Sequence, residues 1–207
     1  MQDITDQVTT IAETVHGIRQ NGQRLMIGLV GGPGSGKSTL ASELSRRLSS
    51  QKCPNVVVPM DGFHLDNAIL EAQSLLGRKG APETFDVFGL VRFLTAIRLD
   101  EEVFAPKFDR ARDISIAGAI HVPAKCPVVI VEGNYLMFDE DPWRALAPLW
   151  DVSVRIAPSL PDLRARLIQR WLSHNLSRAA ATRRAESNDI PNALRVIERA
   201  LPCDFTF

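Results

Sequence analysis

The stretch Gly31-Gly32-Pro33-Gly34-Ser35-Gly36-Lys37-Ser38-Thr39 decides the fold of this 207-residue chain. It fits the pattern G-x-x-x-x-G-K-[ST]. Glycines allow successive backbone N–H groups to turn inward around a polyphosphate, where a Cβ atom would obstruct them. The lysine can reach the β- and γ-phosphates, and the serine hydroxyl can bind Mg²⁺. The pattern therefore predicts a nucleotide-binding loop formed by Gly31, Gly34, Ser35, Gly36, Lys37, Ser38 and Thr39.

The residues on either side of this loop support the prediction, because such a loop must follow a strand and begin a helix. Residues 24–30 form a short apolar run that is typical of a buried strand. The next segment carries Leu40, Leu44 and Leu48 on one helical face. A chance glycine-rich turn is the alternative, and the order of strand, loop and helix argues against it.

Apolar runs and amphipathic segments alternate along the rest of the chain. Further strands are predicted at 55–60, 128–131, 151–156 and 203–207. Helices are predicted at 3–20, 38–49, 67–76, 88–100, 142–147, 161–174 and 191–200. Partial alternation of apolar and polar residues at 114–122 predicts an added strand or hairpin. Buried strands that alternate with helices indicate an α/β fold with a mainly parallel sheet of about five strands and helices on both faces.

Composition bounds the kind of protein. A content of 45% hydrophobic and 23% charged residues is ordinary for a globular domain, and the length favours one domain. The net charge of zero does not point to nucleic acid, no apolar run could span a membrane, and the N-terminus lacks a signal-peptide pattern. Three scattered cysteines favour reduced thiols. We therefore expect a cytoplasmic protein that binds no nucleic acid and inserts into no membrane.

Three predicted strands end in groups that can take part in chemistry, at the edge where open parallel sheets bind ligands. One of them ends in the phosphate loop. Asp61 ends the second and could accept a proton from an attacking hydroxyl, or else cap a turn. Glu132 ends the third and could be a Mg²⁺ partner, or else an exposed acid. His64 fits a substrate contact and a structural role equally well.

The late part of the chain is rich in arginine. Residues 155–199 contain nine arginines and four acidic residues, although the whole chain is neutral. Arg166 and Arg170 lie four residues apart and share a helical face. Such a segment could close over a nucleotide and neutralise a transferred phosphoryl group, or it could be a solvated helix face or an RNA contact. Three tryptophans are expected in the core rather than in a ligand site, namely Trp143, Trp150 and Trp171.

Taken together, these motifs resemble the phosphoribulokinase/uridine kinase family of P-loop kinases over nearly the whole chain. The resemblance runs from the phosphate loop through residues 61–64, 106–110 and 131–133 to 166–171. Residues 60–67, 80–86 and 132–136 look most like a bacterial branch labelled "putative fructose transport system kinase". It implies a three-layer P-loop NTPase fold with a helical, arginine-bearing lid. It also implies one domain over 1–207, with lid and substrate elements within about 61–122 and 160–190.

The resemblance also implies roles for individual residues. Asp61 falls on the catalytic base, Glu132 on the Walker B acid, and Arg166 and Arg170 on the lid arginines. Lys37 would act on the transferred phosphoryl group. ATP and Mg²⁺ are the implied cofactors, with Ser38 and Glu132 as metal-binding residues. The acceptor contacts are expected to be His64, Asp86 and Arg110.

One departure from the family argues against a pyrimidine nucleoside as acceptor. Uridine kinases have a Pro-x-Tyr-Asp-Phe stretch and then a histidine that reads the base. This chain has Pro106-Lys107-Phe108-Asp109-Arg110, and Asp113 lies close to the position of that histidine. A site that lacks the polar groups that hydrogen-bond the base discriminates poorly in favour of that base.

We therefore expect an ATP-dependent kinase that phosphorylates a hydroxyl of a small sugar or sugar-like metabolite, with fructose as one candidate. A nucleoside, nicotinamide riboside or pantothenate kinase is the nearest alternative. A nucleotide-binding regulator of a transport system is an alternative from another class. Small kinases of this type are often dimers.

Overall fold

A five-stranded parallel sheet forms the centre of the computed structural model, which describes residues 3–19 and 24–207. Its strands stand in the order β2-β5-β1-β6-β7, and every neighbouring pair is parallel. Two further strands, β3 and β4, form a separate antiparallel hairpin. The strands are β1 (Leu25–Val30), β2 (Asn55–Pro59), β3 (Val103–Asp109), β4 (Ile114–Val122), β5 (Val128–Gly133), β6 (Val152–Arg155) and β7 (Phe205–Thr206). The predicted parallel sheet of about five strands is confirmed.

Helices cover both faces of this sheet. They are α1 (Ile4–Ile18), α2 (Lys37–Ser50), α3 (Asn67–Ala72), α4 (Val87–Arg98), α5 (Leu160–Ser173), α6 (Arg178–Arg184) and α7 (Ile190–Glu198). Alternate residues of β1 point to opposite faces, since Ile27 packs in one core with α1 and α2 while Met26 packs in another with α4. No helix within the described ranges is both long enough and apolar enough to cross a membrane.

Several elements differ from the sequence prediction. The partner strand β3 was not predicted, because Pro106 interrupts its alternation and the pairing shifts register between Ala105 and Lys107. Helix α6 was also missed. The segment predicted as a helix at 142–147 is instead a 3₁₀ turn over Trp143–Leu149 that contains Pro148. A proline inside the segment removes an amide donor and opposes a regular α-helix.

The carboxyl ends of three sheet strands lie side by side. Strand β1 leads into the phosphate loop, β2 leads into a 3₁₀ turn over Met60–Phe63, and β5 ends at Glu132 and Gly133. Register pairs Val30 with Gly133 and Pro59 with Glu132, so the three ends are level. This edge of the sheet is the place where open parallel sheets bind their ligands.

Candidate active site

The phosphate loop has the backbone geometry of an anion cradle. Gly34 and Gly36 have φ angles of +79° and +100°, in the left-handed region that favours glycine. Helix α2 begins directly afterwards at Lys37, so its free N–H groups face the loop. The hydroxyl oxygen of Ser35 is buried and has no hydrogen-bond partner among the described residues. This oxygen lies beside Gly31 and outside the cavity lining. The left-handed glycines and the free N–H groups at the start of α2 are the features that fit a polyphosphate.

A serine hydroxyl and a glutamate carboxylate contact each other beside the loop. The Ser38 Oγ donates a hydrogen bond to Glu132 Oε1 at 3.1 Å, and Glu132 is 7% exposed. Burial raises the pKa of the Glu132 carboxyl, while the charge of nearby Lys37 opposes that rise. Mg²⁺ prefers oxygen ligands and is usually held by one or two protein groups together with substrate phosphates. These two oxygens fit such an ion.

A cavity of about 700 Å³ opens beside the phosphate loop, and Ser38 lines it whereas Glu132 does not. Its walls come from the phosphate loop, the turn after β2, the β3–β4 hairpin, and helices α5, α6 and α7. Many residues singled out in the sequence share this lining. They are Gly34, Gly36, Lys37, Ser38, Thr39, Asp61, His64, Arg110, Arg166 and Arg170.

Asp61 and Arg110 form an ion pair inside the cavity. The Arg110 Nη2 donates to Asp61 Oδ2 at 2.5 Å. Asp61 is fixed by the turn after β2, whereas Arg110 follows β3 and has a side chain that is 55% exposed. The carboxylate is therefore held by a side chain that water can reach.

His64 is fixed between two aromatic rings. Its ring centroid lies 4.1 Å from that of Phe85 and 4.6 Å from that of Phe108. The Nδ1 atom is 2.7 Å from the carbonyl oxygen of Asp61. Because a carbonyl only accepts, Nδ1 must donate. Burial lowers the pKa of His64, so the ring is neutral at pH 7 and its Nε2 is a hydrogen-bond acceptor.

One polar group of the cavity wall was not predicted from the sequence. The Lys79 Nζ contacts Asn67 Oδ1 at 2.6 Å, the Asp113 carbonyl oxygen at 2.9 Å and the Asp113 carboxylate at 3.0 Å. It also lies 5.0 Å from the centroid of the Phe108 ring. These residues come from three separate segments, so no local pattern could have indicated the group. Asn67, Phe108 and Asp113 lie in stretches that resemble the family, but nothing in those stretches relates them to Lys79.

The helical wall presents arginines around an indole ring. Arg166 Nη1 donates to the Ser35 carbonyl oxygen at 3.1 Å. The guanidinium carbons of Arg170 and Arg184 lie 5.8 Å and 5.3 Å from the Trp171 ring centroid. Burial lowers the pKa of Arg170. The Trp171 Nε1 donates to Asp189 at 2.6 Å.

Two residues named from the sequence lie differently from expectation in this region. Trp171 was expected in the core; it is half-buried, packs against a small apolar cluster and also lines the cavity. Its Nε1 donates to Asp189, and the guanidinium groups of Arg170 and Arg184 lie near its ring. Asp86 is exposed and is not among the cavity-lining residues, and its contact with the acceptor stays a prediction. Its Oδ1 instead accepts the backbone N–H of Gly89 at 2.8 Å and caps α4.

Comparison with curated proteins places the chain among kinases. No protein-family model matches the chain. The "Uncharacterized protein YggC" of Escherichia coli (strain K12) is 38% identical over 177 residues, which cover 84% of this chain and 73% of that protein. The "Putative uridine kinase C227.14" of Schizosaccharomyces pombe is 35% identical over 181 residues, which cover 82% of this chain and 77% of that protein.

A solved structure agrees over the full length. The "putative fructose transport system kinase" from Silicibacter sp. TM1040 is 49% identical, has a TM-score of 0.92, and the match covers 100% of both chains. The resemblance deduced from the motifs is thereby confirmed. The chain belongs to the phosphoribulokinase/uridine kinase family of P-loop kinases and is a small-molecule phosphotransferase.

Proposed function

We propose that this protein transfers the γ-phosphoryl group of ATP to a hydroxyl of a sugar or sugar-like metabolite, with fructose as one candidate. The main support is that Asp61, a carboxylate able to accept a proton, shares one cavity with the phosphate loop. The name of the Silicibacter relative supports fructose as a candidate. Phe108 lines the cavity at the position where uridine kinases have a tyrosine. Because Phe108 lacks the tyrosine hydroxyl, the wall is less suited to a nucleoside acceptor.

The nucleotide would be held by the loop and the start of α2. Backbone N–H groups of residues 34–36 and the Lys37 ammonium would bind the β- and γ-phosphates. Ser38 and Glu132 would hold Mg²⁺ against those phosphates. The ion would neutralise charge on the β- and γ-oxygens.

Transfer would proceed by in-line displacement at the γ-phosphorus. The acceptor hydroxyl gives its proton to Asp61 as its oxygen forms a bond to the γ-phosphorus. The bond from that phosphorus to the β,γ-bridging oxygen breaks, and ADP leaves with the electron pair. Arg166 and Arg170 would stabilise the charge on the equatorial oxygens. Arg110 bonds to Oδ2 of Asp61, so the second carboxylate oxygen, Oδ1, would accept the proton.

The test is ADP release with Mg·ATP over a panel of acceptors. The panel holds fructose, ribose, uridine, cytidine, nicotinamide riboside and pantothenate. We expect at least one sugar to raise the rate above the basal rate, and Asp61→Asn to abolish the stimulation. If no acceptor stimulates the wild type, and Asp61→Asn keeps the basal rate, the proposed function is wrong and a nucleotide-binding regulator becomes the better interpretation.

A further inference from the structure

We propose, building on the function proposed above, that Asn192 and His64 determine which acceptor is used. Each would accept a hydrogen bond from a hydroxyl of the acceptor that is not itself phosphorylated. The acceptor would then be a polyol that carries two O–H donors at fixed positions beside its reacting hydroxyl.

The first support is a relay of side chains that fixes the Asn192 amide. Just before α7, Asn188 Nδ2 donates to the Lys79 carbonyl oxygen at 3.0 Å. A carbonyl oxygen only accepts, so Asn188 presents its Oδ1 in the other direction, 3.5 Å from Asn192 Nδ2. Asn192 therefore donates at Nδ2. Its Oδ1 is the end of the relay and has no hydrogen-bond partner among residues 3–19 and 24–207.

The second support is the burial of Asn192 on the cavity wall. It lies on α7, is 5% exposed and lines the cavity. Buried side-chain oxygens are as a rule hydrogen-bonded. Since no described residue donates to this oxygen, an O–H group in the cavity is the partner that suits it.

The third support is that His64 ends in an acceptor atom for the same reason. Its Nδ1 donates to the Asp61 carbonyl oxygen at 2.7 Å, so the Nε2 of the neutral ring accepts. The rings of Phe85 and Phe108 hold the imidazole from two sides and fix the direction of Nε2. Within the described part of the chain, Nε2 has no hydrogen-bond partner.

The position of Asn192 links the two ends of the cavity. The next residue, Ala193, packs against the phosphate loop, where its Cβ would lie 3.4 Å from a Cβ added at Gly32. The relay reaches Lys79, whose ammonium lies 5.0 Å from the centroid of the Phe108 ring. Asn192 thus lies between the phosphate loop and the wall that holds the histidine, and one small molecule in front of the loop would contact both.

The chemistry of these atoms selects hydroxyl groups. An O–H group can donate to them, whereas a carbonyl, ether or carboxylate oxygen cannot. An acceptor that lacks one of the two hydroxyls would leave a buried protein atom without its hydrogen bond. Sites built in this way discriminate strongly against the analogue that lacks the group.

The experiment measures binding by calorimetry to protein that holds Mg²⁺ and a non-hydrolysable ATP analogue. The probes are fructose, ribose and the derivatives of each sugar that lack a single hydroxyl. We expect at least one parent sugar to bind about tenfold or more tightly than two of its deoxy derivatives. This comparison uses the wild type alone and does not depend on the folding of any variant.

Variants then assign each hydroxyl to a residue. Asn192→Leu should weaken the parent sugar about tenfold and abolish the discrimination against one of the two derivatives. His64→Phe should do the same for the other derivative. Both should bind the ATP analogue as the wild type does. Gln169→Leu is the control, because it removes a carboxamide that is exposed and lies outside the lining of the active-site cavity, and it should keep the full discrimination.

Three outcomes overturn the inference. One is that no parent sugar binds better than its deoxy derivatives, which includes the case in which nothing binds. Another is that Asn192→Leu weakens the ATP analogue alone, which would assign Asn192 to the nucleotide. The third is that both variants keep the discrimination. A sugar that binds as expected but is never phosphorylated with Mg·ATP would instead contradict the proposed kinase function and leave the hydroxyl-binding site standing.

Discussion

At the scale of single residues, Gly62 explains how Asp61 is held in place. A Cβ atom at Gly62 would overlap the backbone carbonyl of Pro106 and lie 2.6 Å from its carbon. The turn after β2 and the strand β3 therefore touch through their backbones at this point. Glycine is required by this close approach rather than by its φ angle.

We predict that Gly62→Ala lowers the free energy of unfolding by about 1–3 kcal/mol through overpacking. The shift of Asp61 should also lower turnover by about 10²-fold, because small misplacements of a reacting group are costly. Urea unfolding and ADP-release assays measure the two effects. Gly77→Ala is the control, since a Cβ there meets nothing within 4 Å, and its stability should change by less than about 0.5 kcal/mol. Equal effects at the two glycines would contradict the close approach.

His64 predicts a pH dependence of stability. Burial lowers the pKa of His64 below the usual 6.5. At a pH between the lowered pKa and 6.5, the unfolded chain therefore binds a proton that the folded chain does not. The free energy of unfolding therefore falls as pH drops below 6.5. Urea unfolding of wild type and His64→Gln at about pH 7.5 and about pH 5.5 isolates this contribution. The advantage of the wild type should shrink at the lower pH, and a constant or growing advantage would count against a buried neutral ring.

Residues within a fixed motif could be predicted from the sequence, and residues that meet only in the folded chain could not. Lys37 and Ser38 are at set distances from the loop glycines, so their placement followed from the pattern. Lys79 belongs to no named motif, and it meets Asn67 and the β3–β4 hairpin only through tertiary packing. Asp86 matched a family position, yet in this chain its carboxylate caps a helix.

At the scale of elements, the π-helical segment Ala185–Asp189 joins two walls of the cavity. Asn188 Nδ2 donates to the Lys79 carbonyl oxygen at 3.0 Å, while Asp189 accepts the Trp171 indole N–H at 2.6 Å. One side of the segment thus reaches the wall that contains Lys79, and the other reaches α5 with its arginines. Such turns are frequent at functional sites.

We predict that Trp171 and Asp189 are energetically coupled. In a double-mutant cycle of Trp171→Phe and Asp189→Asn, the coupling in the free energy of unfolding should be about 0.5–3 kcal/mol. The matched control replaces Trp171→Phe with Trp150→Phe, since the Trp150 indole N–H donates to the Leu136 carbonyl oxygen instead. The control cycle should be additive. Additivity in both cycles would show that the indole contact does not hold α5.

The predictability of elements followed their local signals. Strands β1 and β5 are buried at every position and could be read as apolar runs. Strand β3 carries a proline and, within residues 3–19 and 24–207, pairs with β4 alone, so its sequence is a weak signal for a strand. Helix α6 spans seven residues and contains three arginines, and so it presents little apolar periodicity.

At the scale of the whole molecule, Arg24 connects the start of β1 to distant loops. Its side chain is 3% exposed and pairs with Asp100 at 3.3 Å. It also donates to several backbone carbonyl groups at the end of α4 and before β5. These belong to Ile97 at 2.7 Å, Pro123 at 2.8 Å, Cys126 at 3.0 Å, and also to Ala124.

We predict that Arg24→Met lowers the free energy of unfolding by about 3 kcal/mol or more, because several buried carbonyl groups lose their donor. The KM values should stay unchanged, since Arg24 is not among the cavity-lining residues. Arg92→Met is the control, because Arg92 is an exposed residue of α4, and it should cost less than about 0.5 kcal/mol. A similar loss in both variants, measured by urea unfolding, would exclude Arg24 as a connecting residue.

The architecture as a whole was more predictable than the acceptor. Alternating strands and helices led to the parallel sheet, and the loop pattern placed the nucleotide end of the cavity. The acceptor depends on side chains such as Arg110 and Lys79, whose partners are distant in sequence. Local periodicity contains no information about such contacts.

The central claim is that this protein transfers the γ-phosphoryl group of ATP to an acceptor. The most direct test measures the molar ratio of phosphorylated acceptor to ADP by ³¹P NMR. It compares wild type with Asp61→Asn and with Asp66→Asn, a control at an exposed helix cap outside the cavity lining. We predict one phosphorylated acceptor for each ADP formed by the wild type. Asp61→Asn should lower this rate by about 10²–10⁴-fold, while Asp66→Asn leaves it unchanged. ADP that accumulates without phosphorylated acceptor, at the same rate in wild type and Asp61→Asn, would contradict the account.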